Sequence, residues 1–286
     1  MKIDIKNEYV KKQLIKSLKL SASFSSFIGV FVALIPIDGK WWINILIIAG
    51  VSILSFTGVL IYLLSRKKRK IATCNNINVY AMYGDILKIQ SNGFRDKPVV
   101  VIPVNSAFDY IVEDSLDVES PIVSPKTLHG KWILKMTNND DAKIESLKSD
   151  IEKGIAASKL TIEKILDNKR GNQKEYRLGS TIFVEREECT YMLFALTDFD
   201  ENNHVIERNV RTYSNLMNDF VNETSRCQGR DVFVPVMGVG LSLFGLDHKH
   251  AFEIMKATII NQKNVLKSSI NIVIFDGDRE KVSIYD

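Results

Sequence analysis

The residues whose types and spacing point most directly to chemistry form a glycine-rich segment late in the chain, at positions 233–245. Its pattern predicts a strand, a loop and the start of a helix that Asp247 caps. Gly238, Gly240 and Gly245 allow the backbone to approach a ligand closely, and loop amides beside a helix start favour phosphate. The segment lacks the lysine of a Walker A loop and the spacing of a G-x-G-x-x-G fingerprint. Taken alone, it fits a structural turn as well as a phosphate site.

Three other short motifs accompany this segment. Gly84-Asp85-Ile86 follows one predicted strand, residues 104–107 end another, and Ile274-Phe275-Asp276 ends the last one. In this order and spacing, the four motifs resemble those of the macro domain, a module that binds ADP-ribose and its relatives. The resemblance covers most of residues 77–276.

The resemblance implies a role for each motif. Asp85 would accept a hydrogen bond from the adenine amino group, beside the Ile86 amide, and Phe275 would stack on the adenine ring. Asn105 would lie near the distal ribose, and loop 237–244 would wrap the diphosphate with its amides. The ligand-binding residues expected in this way are Asp85, Ile86, Asn105, Ser106, Phe108, His129, Met237, Gly238, Val239, Gly240, Leu241, Ser242, Leu243, Phe244 and Phe275.

Simpler interpretations of these residues stay open. Asp85 and Asn105 also fit residues that cap or end a turn, and Phe275 also fits a core residue. A lone histidine such as His129 is more often structural than ligand-binding. His248 and His250 lie two apart on a predicted helix, so they should point in different directions and not share a metal ion.

The sequence also departs from the macro-domain pattern. Macro domains that hydrolyse ADP-ribosyl bonds usually have a second asparagine shortly after the first, whereas Phe108 and the acidic stretch 109–114 stand there in this chain. We therefore expect a binding domain and not an enzyme, with no catalytic residues, no metal and no cofactor besides the ligand. With the segment 124–130, which contains His129, and a membrane hairpin ahead of it, the chain resembles the membrane-anchored macro-domain effector of the Thoeris anti-phage system.

The elements that must position these residues alternate between strands and helices, which predicts an α/β domain. The resemblance implies a mixed sheet flanked by helices. Successive buried strands should be parallel, with ligands at their carboxyl ends. Residues 105–125 should form a long loop, and the helix 142–167 should be interrupted or weakened near Gly154. Strands are predicted at 77–83, 87–90, 98–104, 181–184, 189–197, 231–236 and 270–275, and helices at 126–136, 142–167, 207–225 and 247–262.

Ahead of this domain, two apolar runs at 21–37 and 41–64 are separated by the link 38–40. The second run would form a helix roughly 36 Å long and the first one of roughly 26 Å, so both can cross a bilayer, the first only at the short end of the range. The link predicts an antiparallel transmembrane hairpin. Lysines before the first run and basic residues 66–70 after the second predict a multi-pass protein of the cell membrane with both termini in the cytoplasm. A cleaved signal peptide and buried core helices are the alternatives.

Charge and cysteine content separate the two parts further. Residues 1–70 are predicted to be the hairpin with its basic flanks and residues 71–286 the cytoplasmic domain, which carries 26 Lys and Arg against 31 Asp and Glu. This acidic balance argues against nucleic-acid binding. The three cysteines, Cys74, Cys189 and Cys227, fit free thiols in a reducing cytoplasm and lack metal-site spacing.

These observations lead to three hypotheses of function. In the first, which the Thoeris resemblance implies, the macro domain binds an ADP-ribose-derived second messenger made by a TIR-domain enzyme, and the protein self-associates and disrupts the lipid bilayer. The alternative is a membrane-tethered ADP-ribosyl hydrolase. The third is a membrane scaffold without a nucleotide site.

Overall fold

The computed structural model describes residues 14–23, 26–27, 41–74, 76–91, 96–114, 120–262 and 264–286. The chain divides into two compact units, Met1–Lys67 and Lys68–Asp286. In the first unit, helix α1 spans Trp41–Ser65. Its segment Ile45–Leu63 is, among the described residues, the one stretch of helix long and apolar enough to cross a membrane.

The first arm of the predicted hairpin lies mainly outside the described residues. Of the run 21–37, the structure describes residues 21–23 and 26–27, all of them helical. The link 38–40 also lies outside the described part of the chain. One candidate span is therefore present, and the hairpin is unconfirmed.

The second unit is built on a seven-stranded mixed sheet. Its strands are β1 (Lys68–Cys74), β2 (Ile77–Tyr83), β3 (Val99–Asn105), β6 (Thr181–Glu185), β7 (Thr190–Thr197), β8 (Val232–Pro235) and β9 (Ile270–Ile274). Their order is β1-β2-β9-β8-β3-β7-β6. The five inner strands are parallel, and the edge strands β1 and β6 pair antiparallel with their neighbours. The parallel strands therefore end together at one edge.

The inner strands are apolar because both faces of the sheet are covered. Val99, Val100, Val101 and Ile102 on β3 are fully buried, as expected for a parallel strand between helical layers. The helices are α2 (Leu128–Thr137), α3 (Asp141–Ala157), α4 (Val210–Glu223) and α5 (His248–Asn261). Helix α2 packs on β3, α3 packs on β6, and α4 packs against α5.

Each of these four helices begins at a side-chain cap. Thr127, Asp140, Asn209 and Asp247 each accept a hydrogen bond from the amide three residues further on. Such caps satisfy backbone N–H groups that have no partner inside the helix. The predicted cap at Asp247 is thereby confirmed.

Two predicted elements are wrong. The strand expected at 87–90 is a short 3₁₀ turn, Ile86–Lys88, which Asp85 caps. The helix expected at 142–167 ends at Ala157 and is followed by β4 (Ile162–Ile165), which pairs with β5 (Lys174–Tyr176) in a separate two-stranded sheet. Ile162 and Ile165 continue a helix-like spacing, but both are exposed in β4.

Helix α3 is also not interrupted at Gly154, contrary to the prediction. It runs through this glycine to Ala157. A Cβ atom there would lie 3.2 Å from the Ile182 Cβ atom and the Phe183 carbonyl oxygen, so the glycine allows α3 to approach β6 closely. The predicted loop at 105–125 begins with the last residue of β3. Its other described residues, 106–114 and 120–125, form neither helix nor strand.

Candidate functional site

Two adjoining cavities open at the carboxyl ends of the parallel strands. The smaller, of about 320 Å³, lies beside the ends of β2 and β9, and the larger, of about 660 Å³, lies beside the ends of β3 and β7. Both are lined by Leu128, Pro235, Val236 and Asp278, so they adjoin, and the two cavities together are called the cleft. Ligands of open parallel sheets bind at this edge.

Asp85 lies in the smaller cavity and also caps a turn. Its Oδ1 accepts a hydrogen bond from the Leu87 amide at 3.0 Å. Its Oδ2 lies 3.9 Å from the exposed Lys88 ammonium, and the side chain is 30% exposed. Capping and ligand recognition are therefore compatible, because they use different oxygens of one carboxylate.

Phe275 lines the same cavity directly after β9. The residue is 55% exposed, which is unusual for phenylalanine and excludes the alternative that it is a core residue. The backbone of Gly277 lies against the ring: a Cβ atom there would be 2.8 Å from the Phe275 Cε1 atom. An accessible ring beside the Asp85 carboxylate can cover the face of a planar, nitrogen-rich group.

The glycine loop forms part of the wall of the larger cavity. Met237, Gly238, Val239, Leu241, Ser242 and Leu243 line the larger cavity. Gly238 has φ +80°, and a Cβ atom at this position would lie 2.8 Å from the Tyr213 Cδ2 atom and closer still to Cε2. The Tyr213 hydroxyl donates to the Met237 carbonyl at 2.9 Å. The loop conformation is thus fixed by a buried tyrosine on α4.

Asn105 and His129 line the larger cavity from two further segments. The Asn105 carboxamide is held in the interior: its Nδ2 donates to the Asp109 Oδ2 at 2.8 Å, and its Oδ1 accepts from the Asp109 amide at 3.0 Å. The His129 ring donates to the Asp109 carbonyl, which leaves Nε2 as a buried acceptor without a partner among the described residues. Burial lowers the pKa of His129 to about 3, so the ring is neutral near pH 7.

Four of the expected site residues do not line either cavity. Phe108 is buried in the core against Tyr176, with ring centroids 5.9 Å apart, and Phe244 packs on Tyr213 at 5.4 Å. The buried Ser106 joins neighbouring segments, because its amide donates to the Thr197 carbonyl at 2.7 Å. Gly240 begins a 3₁₀ turn with φ +65°. Phe108, Phe244 and Ser106 are therefore buried and stand outside the lining of both cavities, whereas Gly240 is exposed.

The cleft also contains residues that no sequence motif indicated. His248 begins α5 with its Nε2 3.5 Å from the Asp278 Oδ1, whereas His250 pairs with Asp247 at 2.9 Å. The two histidines therefore point apart, as predicted.

Ile122, Phe199, Asn203 and Val205 line the larger cavity from irregular segments. Within the described ranges, no group of three or more His, Cys, Asp or Glu residues could hold a metal ion.

Residues 77–275 match a protein family described as the macro domain of the Thoeris protein ThsA. Among solved structures, a mutant of the Oceanobacillus iheyensis macrodomain is similar, with 13% identity, a TM-score of 0.48, and coverage of 77% of this chain and 94% of the other. The same macrodomain with ADP has 14% identity, a TM-score of 0.40, and coverage of 76% and 92%. No match is found among the curated proteins.

Proposed function

Because the chain belongs to the family of macro domains of the Thoeris protein ThsA, we propose that its second unit binds an ADP-ribose-derived nucleotide signal. One observation carries the proposal. Asp85 and Phe275 line the smaller cavity and the Gly238 loop lines the larger one, and the two cavities share four lining residues although these segments are separate in sequence. Cavities of about 320 and 660 Å³ are large enough for the parts of a nucleotide ligand, because pockets of about 300 to 1,000 Å³ hold small molecules.

The smaller cavity is proposed to hold the adenine. The Asp85 Oδ2 would accept from the exocyclic amine, while Oδ1 keeps its hydrogen bond to the Leu87 amide. The Phe275 ring would stack on the base; such stacking contributes about 1–3 kcal/mol per base. A carboxylate prefers the amino group of adenine to the carbonyl oxygen of hypoxanthine or guanine, because a carboxylate cannot donate a hydrogen bond.

The diphosphate and distal ribose are proposed to lie in the larger cavity. Backbone amides of a tight glycine loop pair with phosphate oxygens, and here Gly238 holds the loop in a conformation that other residues rarely adopt. Asn105 and His129 would contact the part of the ligand beyond the diphosphate. The acidic Asp278, which lines both cavities, pairs with Lys281 at 2.7 Å. The pairing reduces the repulsion of phosphate at this point.

We propose a sensor and not a hydrolase. Phe108, which stands where hydrolytic macro domains have a second asparagine, is fully buried in the core. The neighbouring Asp109 carboxylate is buried, lines neither cavity and is paired with the Lys169 ammonium at 2.9 Å, so it is not within reach of a substrate there as a general base. Incubation of the protein with an ADP-ribosylated protein should release no ADP-ribose; sustained release would favour the hydrolase.

The signal is proposed to act at the cell membrane. Segment Ile45–Leu63 would anchor the protein, as one arm of a multi-pass hairpin with both termini in the cytoplasm. Ligand made by a TIR-domain enzyme would favour a self-associated state that perturbs the bilayer, which requires tighter binding to that state than to the other. Vesicles that contain the full chain should leak dye only with ADP-ribose derivatives present. Leakage that does not depend on ligand would refute this coupling.

Titration calorimetry of the full chain in detergent with ADP-ribose tests the binding proposal. We expect saturable binding by the wild type and loss of about tenfold in affinity for Asp85→Asn. Asparagine keeps the cap on the turn, because its Oδ1 still accepts from the Leu87 amide. The substitution removes the acceptor for the adenine amine, so the loss reports on ligand contact and not on the turn. No binding by the wild type would overturn the proposal.

A further inference from the structure

We propose that Asp109 and Lys169, a buried ion pair behind the larger cavity, position Asn105 and His129 for contact with the part of the ligand beyond the diphosphate. The inference rests on the proposed function and concerns what orients the side chains that would contact the ligand beyond the diphosphate. Neither Asp109 nor Lys169 lines either of the two cavities described, so any influence on a ligand there passes through other residues.

The ion pair is completely enclosed. The Lys169 Nζ lies 2.9 Å from the Asp109 Oδ2, and the two side chains are 0% and 2% exposed. Lys169 also donates to the Asn172 carbonyl at 2.8 Å, and the Asn172 amide donates to the Asp109 Oδ1 at 2.6 Å. Two segments sixty residues apart are thereby joined. A Cβ atom at Gly171 would collide with the same carboxylate, so the segment around residue 171 closely fits it.

Asp109 fixes the orientation of Asn105. The carboxamide of Asn105 contacts Asp109 twice, through Nδ2 to the carboxylate and through Oδ1 from the amide. These two contacts define which side of the carboxamide is the donor and which the acceptor. One Nδ2 proton and one Oδ1 lone pair remain for the cavity that Asn105 lines.

Asp109 also fixes His129 through its backbone. The His129 ring donates to the Asp109 carbonyl, so Nε2 is the acceptor. One residue therefore sets the hydrogen-bonding roles of two cavity-lining side chains on different segments. Lys169, in turn, holds the carboxylate in place.

Stability alone does not account for such a pair. Replacing a buried ion pair by well-packed apolar residues is often neutral or stabilising, because desolvation of two charges offsets their attraction. Removing a single partner leaves a buried charge and is strongly destabilising. A positioning role explains why polar groups occupy this site, and double substitutions can test it without leaving an unpaired charge.

The experiment compares two double variants of the full chain in detergent. Asp109→Leu with Lys169→Met removes both the charges and the acceptor for Asn105. Asp109→Asn with Lys169→Met removes the same charges but retains a carbonyl acceptor. Calorimetry measures the affinity of each for ADP and for ADP-ribose, because ADP lacks the distal ribose. Circular dichroism and thermal unfolding report on the fold.

We expect the Leu/Met variant to bind ADP within about twofold of wild type and ADP-ribose at least tenfold more weakly. The Asn/Met variant should recover part of the ADP-ribose affinity. Equal changes for both ligands, no change for either, or wild-type binding of ADP-ribose no tighter than ADP would overturn the inference. If both variants unfold, the pair serves folding and not positioning. Absence of any binding by the wild type would instead refute the proposed function.

Discussion

The conformation of the glycine loop depends on Gly238, and alanine at this position should disturb it strongly. The residue has φ +80°, and its missing side chain leaves room for the Tyr213 ring. Tyr213 is fully buried, its hydroxyl donates to the Met237 carbonyl at 2.9 Å, and its ring packs on Phe244. The ring therefore cannot move aside without breaking these contacts.

The expected cost of Gly238→Ala has two parts. A left-handed backbone costs a non-glycine residue about 1–2 kcal/mol. Overpacking against the Tyr213 ring adds about 1–3 kcal/mol. The free energy of unfolding should thus fall by about 2–5 kcal/mol. Gly240→Ala is the matched control, because Gly240 has φ +65° but a Cβ atom there would meet nothing within 4 Å. This control should lose only about 1–2 kcal/mol.

Urea unfolding of both variants in a full chain that also carries Trp41→Phe and Trp42→Phe, followed by the fluorescence of the buried Trp132, measures these losses. Since the loop is proposed to hold the diphosphate, Gly238→Ala should also weaken ADP binding. Equal destabilisation by the two alanines would show that the Tyr213 ring does not constrain the loop, and the reasoning would be refuted.

Two other predictions concern the ends of the cleft. Phe275→Ala should weaken ADP binding about 5- to 150-fold through lost stacking, with little change in melting temperature because the ring is exposed. Phe275→Trp should retain affinity, and calorimetry that finds alanine and tryptophan equivalent would contradict stacking. The pKa of His129 is about 3 in the folded state, below the unfolded value near 6.5. The unfolded state therefore binds a proton more readily, and the free energy of unfolding is highest above pH 6.5 and falls as the pH is lowered towards 3. Between pH 7.5 and 5, protonation of His129 should lower the free energy of unfolding of the wild type by about 2 kcal/mol. His129→Gln should lack this part of the pH dependence, because glutamine does not titrate. Identical pH profiles of unfolding for the two proteins would contradict the prediction.

Much of the sheet could be predicted because its inner strands carry continuous apolar runs. The buried stretches of β3 and β7 leave little choice besides strands covered on both faces. The glycine loop could also be recognised, since Gly238 and Gly240 precede a capped helix start. Asp85 and Phe275 were identified through a family resemblance, and the structure adds that one caps a turn and the other is exposed.

Other features could not be predicted because they depend on contacts distant in sequence. Ile162 and Ile165 continue a helical spacing, and only their pairing with residues 174–176 makes them a strand. Edge strand β1 begins with three basic residues that suit a membrane flank equally well. The Asp109–Lys169 pair joins residues sixty positions apart, and neither residue belongs to a motif. Local patterns carry no information on such pairings.

The central claim is that the Asp85 carboxylate recognises adenine in the cleft, and a base exchange tests it most directly. Calorimetry would compare ADP-ribose with its inosine counterpart, which presents a carbonyl oxygen in place of the amine, on the wild type and on Asp85→Asn. We predict that the wild type prefers the adenine ligand and that Asp85→Asn, whose Nδ2 can donate to the carbonyl, loses or reverses this preference. A preference that is the same in both proteins would contradict the account.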